Sequence, residues 1–223
     1  MTDYDAMRLN MVESQIRPNK VYDPRLIAAF STLPRERFVP DALMGVAYVD
    51  EDLEIAPGRY LTEPAVLGQM IEAARVNETD TVLDIGCGTG YSTAVLARLA
   101  GTAIGLEPDA TLNARASQLM LELGIDNAVM VSGEPTKGHQ DQAPYDVILL
   151  GGAVDEVPQA LLDQLGEQGR LITVISNRQL SDRSHAGQAT IFLRAEGGIA
   201  RRRLFDAAVP PLPGFAPEAG FVF

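Results

Sequence analysis

An α/β protein built on a doubly wound, mostly parallel sheet is predicted by three observations in this sequence. Short, nearly continuous apolar runs alternate with stretches of helical periodicity between Thr62 and Ile175. One run ends in a glycine-rich turn, Asp84-Ile85-Gly86-Cys87-Gly88-Thr89-Gly90, and acidic residues stand just beyond the next two, at Glu107 and Glu134. Strands covered on both faces lose the alternation of polar and apolar residues, which is why such runs read as continuous.

The first 60 or so residues have a different texture. Prolines at Pro18, Pro24, Pro34, Pro40 and Pro57 punctuate short helices and turns. Asp23 before Pro24 reads as a helix start, with Leu26, Ile27 and Phe30 as its apolar face. Residues 1–61 are therefore read as an amino-terminal cap on a domain spanning 62–208, followed by a tail, 209–223.

Thr62-Glu63-Pro64 opens the next helix, with Thr62 as its expected N-cap and Val66, Met70, Ile71 and Ala74 recurring at helical spacing. A polar turn at 77–80 precedes a strand over 81–85, the glycine loop, and a helix over 92–99 that buries Val95, Leu96 and Leu99. The second strand, 103–106, ends at Glu107. Leu112, Ala116, Leu119, Met120 and Leu123 then keep one helical face apolar, and Gly124 suits the helix end. Strands are predicted over 128–131 and 145–150, and Leu161, Leu162 and Leu165 make a helical stripe before a strand over 170–175. Two further strands, 189–194 and 199–205, are separated only by Glu196-Gly197-Gly198 and should pair antiparallel. The tail from Pro210 is expected to meander and to pack through its phenylalanines.

Composition narrows the partners. With 18 Lys+Arg against 30 Asp+Glu the net charge is −12, which offers no basic field to hold a phosphate backbone. Arg201, Arg202 and Arg203 read as a solvated strand edge. The single cysteine, Cys87, excludes an intramolecular disulfide and a multi-cysteine zinc site, and His139 and His185 lack metal-ligand spacing, so no metal is expected. Cys87 itself reads as a small packing residue. The polar amino terminus lacks the apolar run of a signal peptide, and no stretch approaches the roughly 20 apolar residues that span a bilayer. The expectation is a soluble cytoplasmic protein with neither nucleic acid nor membrane as partner.

The chemistry is read from the glycine loop. Glycines there permit left-handed backbone angles and let a ligand approach without a Cβ in the way. A dinucleotide would seat its pyrophosphate at the helix terminus. Asp84 immediately precedes the first glycine, and the spacing is GxGxG. A carboxylate there disfavours a diphosphate and favours a cationic ligand, and S-adenosylmethionine carries both an ammonium and a sulfonium. Glu107 stands about twenty residues after the loop's first glycine, where an acidic side chain can accept from both ribose hydroxyls. Glu134, beyond the third strand, is a candidate acceptor for an adenine amino group. Asp84, Gly86, Gly88, Gly90, Glu107 and Glu134 thus form the expected cofactor set. No Gly-Lys-Ser/Thr follows the glycines, which removes a P-loop.

The chain also resembles the protein-L-isoaspartate (D-aspartate) O-methyltransferase family. The resemblance runs through Met11-Val12-Glu13-Ser14-Gln15, Leu33-Pro34-Arg35-Glu36-Arg37-Phe38-Val39-Pro40, Ala47-Tyr48-Val49-Asp50, residues 83–91, Ala143-Pro144-Tyr145-Asp146 and Gln168-Gly169-Arg170-Leu171. It implies a monomer with a seven-stranded Rossmann-like sheet and an amino-terminal cap. It also implies methyl transfer from S-adenosylmethionine, leaving S-adenosylhomocysteine, to the free carboxylate of isoaspartyl residues in damaged proteins. Gly58-Arg59-Tyr60-Leu61-Thr62-Glu63-Pro64 stands where the family has Gly-Gln-Thr-Ile-Ser-x-Pro, so Thr62 inherits the active-site hydroxyl and Arg59 and Tyr60 fall on the substrate side. Three segments depart from the pattern: Arg59-Tyr60 for Gln-Thr, Glu134-Pro135 for Asp-Gly, and Gly151-Gly152 for Thr-Ala.

An acceptor carboxylate is already ionised near neutral pH, so positioning dominates the catalytic demand. Thr62 is expected to donate a hydrogen bond to one carboxylate oxygen while the other attacks, with Arg59 offsetting the acceptor's negative charge. Three alternatives stay open: the same fold with another carboxylate or small-molecule acceptor, a dinucleotide oxidoreductase, and a noncatalytic domain that acts through partner binding. Donor binding and an acceptor assay separate them.

Overall fold

A computed structural model of the chain describes residues 3–177 and 186–215. His185, Phe221 and Phe223 lie outside the described residues. The amino-terminal part holds helix α1 (Tyr4–Met11), which runs on into a π-helical turn at Val12–Ile16, helix α2 (Pro24–Thr32), and an antiparallel hairpin of β1 (Leu53–Ala56) and β2 (Arg59–Leu61). Then follow α3 (Pro64–Ala74), β3 (Thr81–Ile85), α4 (Tyr91–Ala97), β4 (Thr102–Leu106), α5 (Ala110–Glu122) and β5 (Ala128–Val131). The chain continues through β6 (Tyr145–Val154), α6 (Gln159–Leu162), β7 (Leu165–Ser176), β8 (Ala186–Ala195) and β9 (Gly198–Ala208).

Strands β3 to β9 form one seven-stranded sheet in the order β5-β4-β3-β6-β7-β8-β9. The first five are parallel and β8 pairs antiparallel with both its neighbours, so the expected mostly parallel, doubly wound sheet is present. Side chains alternate across it. Val82, Val147, Ile172 and Ile191 pack with α3, α4, α5 and the cap in one core, while Leu83, Ile148, Leu171 and Phe192 face a second core closed by Leu161, Leu162, Leu212 and Phe215.

Local chemistry explains the helix ends. Asp23 accepts from the Arg25 amide at 2.8 Å, with Pro24 preset for the first helical position. Asp109 caps α5 by accepting from the Thr111 and Leu112 amides. Gly124, at φ +61°, lets Ile125 donate back to the Met120 carbonyl and close that helix.

Three expectations need correction. Ile27 is only half-buried, and Ala29 takes its place on the apolar face of α2 with Leu26 and Phe30. Leu165 does not extend a helical stripe: α6 stops at Leu162, and Leu165 begins β7, opposite Tyr145. A run of apolar residues this short fits either period, and pairing with β6 decides it. Finally, the cap contains a hairpin as well as helices and turns. Its Pro57-Gly58 turn, with Gly58 at φ +68°, joins strands of four and three residues, too short for a periodic signal. That hairpin delivers Arg59 and Tyr60. Among the described residues no helix is long and apolar enough to cross a membrane.

Candidate active site

The chain order reverses across the sheet at β3, which pairs with β4 on one side and β6 on the other. Open α/β sheets bind ligands at the carboxyl end of such a switch point, and there the glycine loop leaves β3. Gly86, Gly88 and Gly90 all have positive φ, of +74°, +58° and +89°. Gly90 is also where helices meet, since a Cβ on it would lie 3.0 Å from that of Ala116 in α5. The loop is pinned from both sides: the Gly86 amide donates to the Leu106 carbonyl, and the Thr89 hydroxyl donates to the Phe38 carbonyl of the cap.

Asp84 is fully buried at the end of β3. Its Oδ2 accepts from the hydroxyls of Ser92 and Thr93, both at 2.6 Å, whereas Oδ1 has no hydrogen-bond partner. Burial pushes this carboxyl up to about 6, against the two hydroxyl donors, which favour its charged form. A buried carboxylate oxygen without a donor fits a cationic ammonium group, as the charge argument expects. Cys87 is buried and burial raises its thiol pKa, which suits packing rather than chemistry.

Glu107 is also fully buried, at the end of β4, and its acceptor positions are filled. Arg59 reaches over from the hairpin and donates two bonds in parallel, both at 2.5 Å. The amides of Gly88 and Asp109 donate to the same carboxylate at 2.8 and 3.0 Å. Arg59 therefore lies against a residue expected to hold the ribose. Glu134 is placed differently. It is exposed, ion-paired to Lys137 and bonded by Thr136, which together hold its carboxyl below the usual range.

Thr62 does not cap its helix. The N-cap of α3 is Glu63, which makes no side-chain capping bond, and the amides of Glu63 and Ala65 are met instead by the Asp52 and Asp50 carboxylates at 2.9 and 3.2 Å. Pro64 fixes the entry to the helix, and two upstream acids do the capping. Thr62 is held through its backbone: its carbonyl accepts from Arg35 at 2.9 Å. Arg35 is fully buried, donates also to the Ala47 carbonyl at 2.7 Å, and lies 4.9 Å from the centre of the Tyr91 ring. The motif Leu33-Pro34-Arg35 thus anchors the cap to the catalytic candidate in the link between β2 and α3. Thr62, Arg59 and Tyr60 line one small cavity with Gly151, Gly152 and Leu212.

Comparison with known proteins decides what kind of site this is. A family model described as protein-L-isoaspartate(D-aspartate) O-methyltransferase matches residues 7–195. The chain belongs to this family. A protein-L-isoaspartate O-methyltransferase of Koribacter versatilis is 35% identical over 215 residues, covering 96% of this chain and 94% of the relative. One of Methanoculleus marisnigri is 38% identical over 175 residues, covering 78% and 80%. A solved protein-L-isoaspartate O-methyltransferase superposes with a TM-score of 0.79 at 25% identity, covering 93% of this chain and 67% of that one. A Plasmodium falciparum chain solved with S-adenosyl-L-homocysteine gives 0.76 at 20% identity, covering 96% and 100%, which supports the fold.

Within the family fold, the structure brings Asp84, Gly86, Gly88, Gly90, Glu107, Arg59, Tyr60 and Thr62 to one end of the sheet. Among the described residues, no group of acids, histidines and cysteine is arranged to hold a metal. The sequence reading missed three features: the Arg59–Glu107 pair, the placement of Thr62 by Arg35, and the approach of Leu212 to the loop. The Pro57-Gly58 dipeptide between Ile55 and Tyr60 was the available signal for the hairpin behind the first.

Two carboxyls here set a pH dependence. Burial, with the negative charges of Asp52, Asp50 and Glu51, pushes Glu63 up to about 7. Asp84 stands at about 6 for reasons given above. Both exceed their unfolded values, so the folded chain binds the extra protons, and these groups cost nothing below about pH 4 and progressively destabilise as pH rises toward 7. Between about pH 4 and about pH 6 denaturant midpoints are therefore expected to fall more steeply in the wild type than in D84N, with the two profiles parallel above that; profiles parallel throughout would contradict the shift at Asp84.

Proposed function

We propose that this chain transfers the methyl group of S-adenosylmethionine to the carboxylate of L-isoaspartyl residues in damaged proteins, opening their repair. The observation that carries the reading is the family match over residues 7–195, which runs through the cap as well as the glycine loop. A glycine loop alone is shared by many methyltransferases; the cap that supplies Arg35 and Arg59 and leads into Thr62 is not.

When bound, the donor supplies an electrophilic methyl carbon on a sulfonium. The chain's own part is binding and orientation. The unpartnered Oδ1 of Asp84 receives the ammonium, the glycine backbones allow close approach, and Glu107 serves the ribose once Arg59 has left it. The surface pair of Glu134 with Lys137 has to open before Glu134 can serve the adenine. The acceptor needs no general base because its carboxyl is already ionised. Thr62, relieved of capping, offers its hydroxyl to one acceptor oxygen and leaves the other to attack. Arg59, freed from Glu107, and Tyr60 stand on the acceptor side. The reading is of a monomeric cytoplasmic enzyme that works apart from membranes, and the net charge of −12 weighs against a nucleic-acid partner.

Labelled-methyl transfer to an isoaspartyl peptide and to its aspartyl counterpart tests the assignment. Methylation of the first alone is expected; equal inactivity toward both would leave the family fold and remove the repair function. T62A should lower kcat by roughly a hundredfold, at the low end of the range for loss of a positioned donor, while shifting stability by less than about 0.5 kcal/mol because no cap is lost. Unchanged turnover in T62A would exclude Thr62 from the reaction.

A further inference from the structure

The groups that would receive the methyl donor are met in this structure by the chain's own side chains. We infer that the cofactor pocket is gated from within: Arg59 of the hairpin and Leu212 of the segment after β9 occupy it together, and donor binding has to displace both. The inference rests on the donor assignment proposed above and concerns how that site opens.

Two independent sets of contacts carry it. The first is the bidentate pair of Arg59 with Glu107, which with two backbone amides saturates a fully buried carboxylate. Ribose hydroxyls need those same oxygens, so sugar and guanidinium compete for one place. The second is the docking of the segment that contains Leu212. The Ala153 amide donates to the Pro210 carbonyl at 2.9 Å and the Leu212 amide donates to the Ala153 carbonyl at 2.8 Å, tying this segment alongside the end of β6. The Leu212 side chain then lies on the first glycine of the loop, its Cδ1 only 2.4 Å from where a Cβ on Gly86 would sit.

The docking is written into the sequence. A Cβ on Gly152 would stand 3.0 Å from the Leu212 Cβ and 3.1 Å from the Pro210 carbonyl oxygen, so a side chain at that position would crowd the segment. A Cβ on Gly151 would lie 2.7 Å from the Gly86 carbonyl oxygen. Arg59, Gly151 and Gly152 are positions where the sequence departs from the family pattern, and the departures converge on this closure. On the acceptor side of the loop, Arg59, Thr62, Gly152 and Leu212 enclose a cavity of about 10 Å³, room for about one water.

Calorimetric titration of the full-length protein with S-adenosylhomocysteine tests the gate, using wild type, R59Q, L212A and the double variant. If the closed arrangement holds most of the population, apparent affinity is reduced by the open fraction. Each single variant should then bind about tenfold more tightly and the double variant more tightly still. Hydrogen exchange supplies a second readout: in the wild type, saturating S-adenosylhomocysteine should deprotect the Ala153 and Leu212 amides. L212A keeps the test intact if R59Q does not fold. Equal affinity in all four proteins, or binding with those amides still protected, would overturn the gate while leaving the methyltransferase reading in place. Absence of binding in all four would overturn both. Tighter binding in the variants, together with no methylation of an isoaspartyl peptide by the wild type, would uphold the gate and remove the proposed function.

Discussion

Replacing Glu107 with alanine is expected to cost about 3–5 kcal/mol of folding stability, the range for breaking a buried ion pair from one side. The carboxylate is fully buried, and the Arg59 side chain retains only 10% of its exposure. Removing Glu107 strands that guanidinium and also leaves the Gly88 and Asp109 amides without their acceptor. Replacing both partners, as in R59M/E107L, should recover a large part of the loss, because no charge is then left unpaired. Chemical denaturation of the two single variants and the double variant measures the coupling. A cost under about 1 kcal/mol for E107A, or simple additivity, would show that the pair does not form in solution.

The second large effect belongs to Asp84, and there stability and binding should part company. In D84N the fold loses a carboxylate whose charge is penalised by burial, but an amide N–H then lacks a partner in the same place. These terms oppose, so stability near neutral pH should change by no more than about 1–2 kcal/mol. Methyl-donor affinity should fall by roughly thirtyfold or more, since a hydrogen bond to a charged group contributes about 2 kcal/mol. The wild-type protein should likewise lose donor affinity as pH falls below about 6, where Asp84 takes up a proton. Titration of both proteins with the donor above and below that pH checks the sign. Undiminished binding by D84N would show that the ammonium is held elsewhere.

Legibility in the sequence followed the physics of each element. The strand over 81–85 was readable to the residue because burial on both faces makes it a short apolar run with polar ends, and the edge strand over 128–131, though only half-buried, was marked by its β-branched residues between Asn127 and Ser132. The long helix carrying Leu112, Ala116, Leu119 and Met120 was equally plain, since its periodicity persists over three turns and Gly124 ends it. Asp84 and Glu107 could be placed at one sheet edge because each directly follows or ends an apolar run that the parallel arrangement aligns.

What stayed hidden depends on contacts distant in sequence. Arg59 and Glu107 are 48 residues apart, and nothing in the local pattern around Arg59 announces a buried ion pair. The Thr62 cap reading failed because acids from the preceding loop, Asp50 and Asp52, reach the helix amides first. Leu212 follows the last strand in a proline-rich stretch, and only the backbone bonds to Ala153 reveal that it docks on the glycine loop. Resemblance to the family singled out Thr62 and the cap, and in the structure Thr62 lines one small cavity with Arg59 and Tyr60. The way this chain fills its own site lies in the positions where that resemblance breaks.

The most direct measurement of the central claim is a crystal structure of the full chain with S-adenosylhomocysteine. The expected result places the ribose hydroxyls on Glu107 and the ammonium on Asp84, with Arg59 turned away from Glu107 and Leu212 lifted from Gly86. A bound ligand that leaves the Arg59–Glu107 pair intact, or one that seats a phosphate on the glycine turn in preference to the methyl-donor product, would contradict the account.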